Sequence, residues 1–158
     1  MNELKKIFTY PHPVLLVSAQ PVENVDAEIR DILDEMTQIM KINNGIGLAA
    51  PQIGICKRLI MVDLNGHRYQ LINPTIRKAS GSQKNVEGCL SLPNQAFEVS
   101  RADEAVIEGV DSEEKEITLS TAGLLACVFQ HEIDHLNGIL INMIGNDVPL
   151  EKSTQGKF

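Results

Sequence analysis

The apolar positions of this chain change period along its length, and each period predicts an element. Between residues 26 and 42, Ile29, Ile32, Leu33, Met36, Ile39 and Met40 recur three and four apart, with Asp, Glu, Arg and Lys between them. That stripe predicts an amphipathic helix with one face in the core. Asn24 or Asp26 can cap its start, and Asn43-Asn44-Gly45 ends it. A second helix is predicted over 122–137, AGLLACVFQHEIDHLN, whose Leu124, Leu125, Val128, Phe129 and Ile133 imply substantial burial. Gly138 is its stop signal.

RLIMVDL reads as a strand, and Asn65-Gly66 before YQLIN reads as a two-residue hairpin turn. EAVIEGV and KEITLS form a second hairpin around the polar turn Asp111–Glu114, and ILINM reads as a short closing strand. GIGLAAPQIG reads as a loop of glycine and alanine. Pro11, Pro13 and Pro21 bar a long helix from the first 24 residues, which should wrap the surface in extended and turn conformations. The sum is an α+β fold. Antiparallel β-sheets pack around a central helix that carries HEIDH, with a second, N-terminal helix, in one domain over residues 1–158.

Composition narrows the class without naming it. Apolar residues make up 43% and charged residues 22%, as in an ordinary globular protein. Aromatics are only 4% and Trp is absent, so the core must rest on aliphatic side chains and Met. A net charge of −7 with scattered Lys and Arg argues against nucleic acid or an anionic membrane as partner. No apolar run has transmembrane length, and the first residues lack a signal-peptide pattern. Cys56, Cys89 and Cys127 are an odd, widely spaced set, which suits reduced thiols and a cytoplasmic setting.

The predicted second helix carries the chemistry. His131 and His135 are four apart, so both imidazoles point from one helix face toward one ion. Glu132 is rotated by roughly 100° from His131, near the ion without being a ligand, where it can hold and deprotonate a water. A hydrolytic centre needs three protein ligands and one open position. Ile141 stands where a large group of zinc proteases carries its third His. Glu151 lies in a short polar tail, and His12 and His67 lie in turn-like contexts, which leaves a thiolate. Cys89 is the candidate. Its alternative is that of any free Cys, a small buried hydrophobe, the reading given to Cys56 and Cys127.

Three stretches, GIGLAAPQ (45–52), EGCLS (87–91) and HEIDH (131–135), resemble in order the signature motifs of the peptide deformylases. YPHPVLL resembles that family's N-terminal segment, and the likeness runs over roughly residues 7–143. The resemblance implies a hydrolase that removes the formyl group from the N-terminal formyl-methionine of nascent proteins and releases formate. It implies one divalent metal ion held by Cys89, His131 and His135. Ferrous iron (Fe2+) is usual in the family, with zinc (Zn2+) or nickel (Ni2+) as alternatives. It also implies Glu132 as the catalytic carboxylate, Gln52 and the Leu90 N–H as donors to the formyl oxygen, and substrate backbone contacts near Gly47. A methionine-sized pocket is then expected from Ile46, Leu124, Cys127 and Val128, whose plain alternative is core packing.

Chemistry agrees with these roles. Gln52 is a neutral amide donor, and one such donor to a developing oxyanion is worth on the order of 3 kcal/mol. Two departures from the family pattern stand out: Leu16 and Ala96 occupy positions where many members have Arg. The tail EKSTQGKF follows the metal helix closely, so the ribosome docking that some members achieve with a longer C-terminal helix is not expected. Two rival readings are a metalloprotease that cleaves internal peptide bonds and a metal-stabilised binding module. Cys89 and Gln52 weigh against the first, and Glu132 against the second, because a structural site is closed by a fourth ligand rather than given a base.

Overall fold

A computed structural model describes residues 3–150 and 158; Glu151 lies outside the described residues. The N-terminal segment runs extended and makes one 3-10 turn at Pro13–Leu16. The elements are then α1 (Ala27–Ile42), β1 (Gly47–Ala49), a 3-10 turn at Ala50–Ile53, β2 (Leu59–Leu64), β3 (His67–Ser80), β4 (Gln83–Cys89) and β5 (Leu92–Arg101). After them come β6 (Glu104–Val110), β7 (Glu116–Ala122), α2 (Gly123–Leu136), the single turn α3 (Ile141–Ile144) and β8 (Asn146–Val148).

Among the described residues the strands form two antiparallel sheets, one in the order β1-β2-β3-β6-β7 and one in the order β4-β5-β8. Side chains alternate across a strand, and β2 uses both faces. Ile60 and Val62 join a core with Val128, Phe129 and Ile133 of α2. Leu59 and Met61 join a second core with Leu33, Met36 and Met40 of α1. The larger sheet is thus covered by a helix on each face. A third apolar cluster, including Leu15, Leu92, Val99, Leu140 and Ile141, carries the smaller sheet.

Both predicted helices form within a residue of their expected ends. Asp26 caps α1, its side chain accepting from Ile29 N at 3.0 Å. At the end of α2, Ile139 N donates to Asp134 O and Gly138 N donates to His135 O, with Gly138 at φ 73. This six-to-one and five-to-two pairing needs a left-handed residue at Gly138. The backbone of Leu16 also passes so close that a Cβ there would lie 2.9 Å from it. Both predicted hairpins form too. Asn65 and Gly66 have φ 53 and 79, as a type I′ turn requires. The carboxylate of Asp111 ties the β6–β7 turn by accepting from Glu113 N and Lys115 N.

Two expectations need correction, and one hairpin was not foreseen. GIGLAAPQIG is not a loop: Gly47–Ala49 pairs with β2, and Ala50–Ile53 is a 3-10 turn. Small residues read as loop by composition, but here they let a strand lie close against α2. ILINM is not a strand; Ile141–Ile144 turns helically and β8 follows it. A short apolar run does not reveal its period, and this one buries Leu140 and Ile141 while exposing Met143 and Ile144. The β4–β5 hairpin, which carries EGCLS at its turn, had no clear strand signal.

Candidate metal centre

Helix α2 is buried on nearly every side, from Ala126 to Ile133 without a break. Burial aims its polar side chains inward, where each needs a partner. Strand β4 meets it there. The register between β4 and β5 slips between Glu87 and Cys89, the kind of irregularity that re-aims side chains beside functional sites. Both of these side chains reach the helix. Cys89 Sγ lies 3.4 Å from His135 Nε2, and Glu87 Oε1 lies 2.8 Å from His131 Nδ1. One donor atom from each of Cys89, His131 and His135 lies within 4.8 Å of the others, and all three residues are buried. The structure therefore contains a cluster able to hold a metal ion. His12 and His67 are exposed and are not part of it, with His12 Nδ1 accepting from Val14 N.

The atoms left without partners point to the same place. His131 Nε2, both oxygens of Glu132 and His135 Nδ1 are buried with no hydrogen-bond partner among the described residues. An orphaned buried polar group costs about 1–3 kcal/mol, so several in one spot mark a site built for something further. With Nδ1–H of His131 donating to Glu87, its Nε2 lone pair is left free for an ion, as in carboxylate–histidine–metal arrangements. One thiol and two imidazoles suit zinc, iron or nickel.

Electrostatics favour neutral imidazole. Burial, then the neighbouring His131 and Arg101, hold His135 well below its usual range. Burial pushes the Cys89 thiol upward, opposed by backbone hydrogen bonds from Ser91 and Leu92. A metal ion must therefore displace that proton when it binds. Burial also holds the Glu132 carboxyl well above its usual range; Arg101 opposes this, and Glu87 and Asp134 add to it.

Sequence reasoning missed the supporting layer. Arg101 donates to Glu87 through Nε at 2.6 Å and Nη2 at 3.0 Å, and to Asp134 through Nη1 at 2.9 Å. Burial pushes the Glu87 carboxyl up, but hydrogen bonds from His131 and Arg101 more than offset this and hold it below its usual value. Glu87 and Asp134 lie inside two of the quoted motifs, which was the signal available. Arg101 had none.

Gln52 and Gly47 lie beside Cys89 and Glu132. Gln52 is fully buried; its Oε1 accepts from Ala49 N at 2.9 Å and its Nε2 donates to Ser91 Oγ at 3.1 Å, with Cys89 Sγ at 3.8 Å. Leu90 follows Cys89 at the hairpin turn. A Cβ built on Gly47 would collide with Glu132 Oε2 and crowd Val128, so only Gly leaves room for the carboxylate. Strand β1 is an edge of its sheet. Asp63 N bonds Ile46 O, and ladder bonds alternate, so Gly47's own N–H and C=O face outward. Ile46 and Leu124 pack against the apolar cluster that holds Cys127 and Val128. Of the two departures, Leu16 is exposed, whereas Ala96 is fully buried on β5 opposite Val148 of β8.

This geometry is matched by known proteins. The family model for polypeptide deformylase matches residues 4–147. The chain belongs to the peptide deformylases. The peptide deformylase of Symbiobacterium thermophilum is 47% identical over 138 residues, 85% of this chain and 64% of that protein. That of Carboxydothermus hydrogenoformans is 45% identical over 135 residues, 85% of this chain and 89% of that protein. The crystal structure of the Thermotoga maritima peptide deformylase superimposes with a TM-score of 0.88 at 33% identity, covering 90% of this chain and 98% of that one. Peptide deformylases are hydrolases of protein biosynthesis that remove the formyl group from nascent formyl-methionyl chains. Membership decides against the metalloprotease and binding-module readings.

Proposed function

We propose that Cys89, His131 and His135 hold one divalent ion, that Glu132 is the catalytic carboxylate, and that Gln52 and the Leu90 N–H receive the formyl oxygen. One observation carries this. Both Glu132 oxygens are buried without a partner among the described residues, beside a three-donor cluster, on a helix face cleared by Gly47. A bound divalent ion supplies Lewis acidity and lowers the pKa of a water. Glu132 takes the proton of the attacking water and passes it to the leaving amine, which needs a carboxyl free of fixed partners. Gln52 is pre-oriented because Ala49 N fixes its Oε1, so its Nε2 faces Ser91 and Cys89 without reorganisation. The outward N–H and C=O of Gly47 offer a peptide an edge to pair with. Ile46, Leu124, Cys127 and Val128 supply apolar contact for the methionine side chain.

The ion is ferrous iron on family expectation, and zinc or nickel would satisfy the same donors. We place the reaction in the cytoplasm, in one catalytic domain, with formyl-methionyl peptides and not nucleic acid as partners. The net charge of −7 supports the last point, and no helix among the described residues is long and apolar enough to cross a membrane. The test is formate release from a formyl-Met tripeptide by anaerobically prepared protein, with metal content measured on the same sample. Stoichiometric release is expected from iron- or nickel-loaded protein. A loaded protein that leaves the peptide intact refutes the reading.

A further inference from the structure

Phe158 is the only apolar side chain in the last eight residues, EKSTQGKF, yet it is completely buried. It is buried at the metal cluster. Its ring meets the His131 ring edge-on, with centroids 5.0 Å apart, and it belongs to the apolar cluster that contains Cys127 and Val128. Its backbone is held as well. Phe158 N donates to Gly88 O at 3.3 Å, and Leu90 N donates to Phe158 O at 3.4 Å. These two bonds straddle Cys89, as an extended residue makes on a neighbouring strand. A carbonyl oxygen of the chain thus sits on the N–H assigned to the formyl oxygen, and an apolar side chain sits among the residues assigned to methionine.

We infer that Phe158 is a tethered substrate mimic: it occupies the peptide site from within the same chain and must leave before a formyl-methionyl peptide binds. This rests on the deformylase reading of the site. Both backbone bonds are longer than the usual range of about 2.7–3.2 Å, so they hold Phe158 weakly. Affinity need not be high, because an occupant carried on the same chain binds intramolecularly. Occupancy by the tail reduces the fraction of binding-competent protein, and apparent affinity for substrate falls by that fraction.

The test compares the metal-loaded full chain with its Phe158→Ala variant. For a formyl-Met tripeptide the variant is expected to show a KM about threefold lower or more, with kcat unchanged. The free octapeptide EKSTQGKF should inhibit the variant competitively, and the same peptide ending in Ala should not. Binding of the dipeptide Met-Ala, followed by calorimetry, should tighten in the variant by the same factor and requires no turnover. Unchanged or raised KM in an active variant, together with no inhibition by EKSTQGKF, overturns the inference and makes Phe158 a packing residue. Absence of formate release from both proteins strikes the function instead, and the dipeptide measurement then still decides whether Phe158 blocks the site.

Discussion

Replacing Glu87 by Gln should weaken both the fold and the metal site, because one carboxylate serves both. Its side chain is fully buried and that of Arg101 is only 4% exposed. The substitution removes the charge that accepts two Arg101 hydrogen bonds and leaves Asp134, 27% exposed, as the only counter-ion among the described residues. Breaking a buried ion pair on one side costs about 3–5 kcal/mol. The retained Asp134 contact and the amide oxygen of Gln place this case near ~3 kcal/mol. Urea unfolding of metal-free protein at pH 7, with the denaturant slope held constant, measures it.

The double variant Glu87→Gln, Arg101→Met also removes the stranded cation, so it should recover about 1–2 kcal/mol of that loss. The pH dependence has a fixed sign. The folded state holds the Glu87 carboxyl below its ordinary value of 4.5. Its contribution is therefore fully present above that value and fades as pH falls through the lowered folded one, so wild type and variant should converge in acid. Metal affinity should fall about 10–100-fold through loss of the charged partner of His131. A variant within ~0.5 kcal/mol of wild type at pH 7, with additive effects in the double variant, would refute the argument.

Glu132→Gln should keep its metal stoichiometry while formate release falls about 10²–10⁴-fold; metal loss in that variant would make Glu132 a ligand. Gly47→Ala should still fold, with a melting temperature lowered by the roughly 1–3 kcal/mol of overpacking against Val128, and lose about 10²-fold in kcat, since its Cβ displaces the Glu132 carboxylate; normal turnover would free Gly47 from that role. In native metal-free protein at about pH 8, iodoacetamide should label partly exposed Cys56 first. Cys127 is buried with its thiol pushed up to about 11 by burial, so equal labelling of Cys127, read by peptide mass, would contradict the packing around it.

The helices were legible because their apolar positions keep one period over several turns, as in Ile29 to Met40 and Leu124 to Ile133. The two correctly placed hairpins announced themselves through turn chemistry at Asn65-Gly66 and around Asp111. QKNVEGC and LPNQAFEVSR offered neither signal, since their polar residues interrupt any alternation and their burial comes from α2, α3 and the N-terminal segment. At the site, His131, Glu132 and His135 are local and readable from spacing. Arg101 is not, because it reaches Glu87 across 14 positions and Asp134 across 33, and a charged residue on a strand otherwise reads as solvent-facing. Phe158 closes against His131 from the far end of a polar stretch, which no periodicity encodes.

The pairing of β4 with α2 also sets a schedule for the chain as it is made. Cys89 and His135 meet across 46 positions, with the β6–β7 hairpin lying between them in the chain. Before that, the two histidines lie on a 14-residue segment, a length at which an isolated helix is marginal in water. Closing so long a loop is a late event on entropic grounds. A nascent copy therefore offers an ion no three-donor site until α2 has emerged and packed against β4.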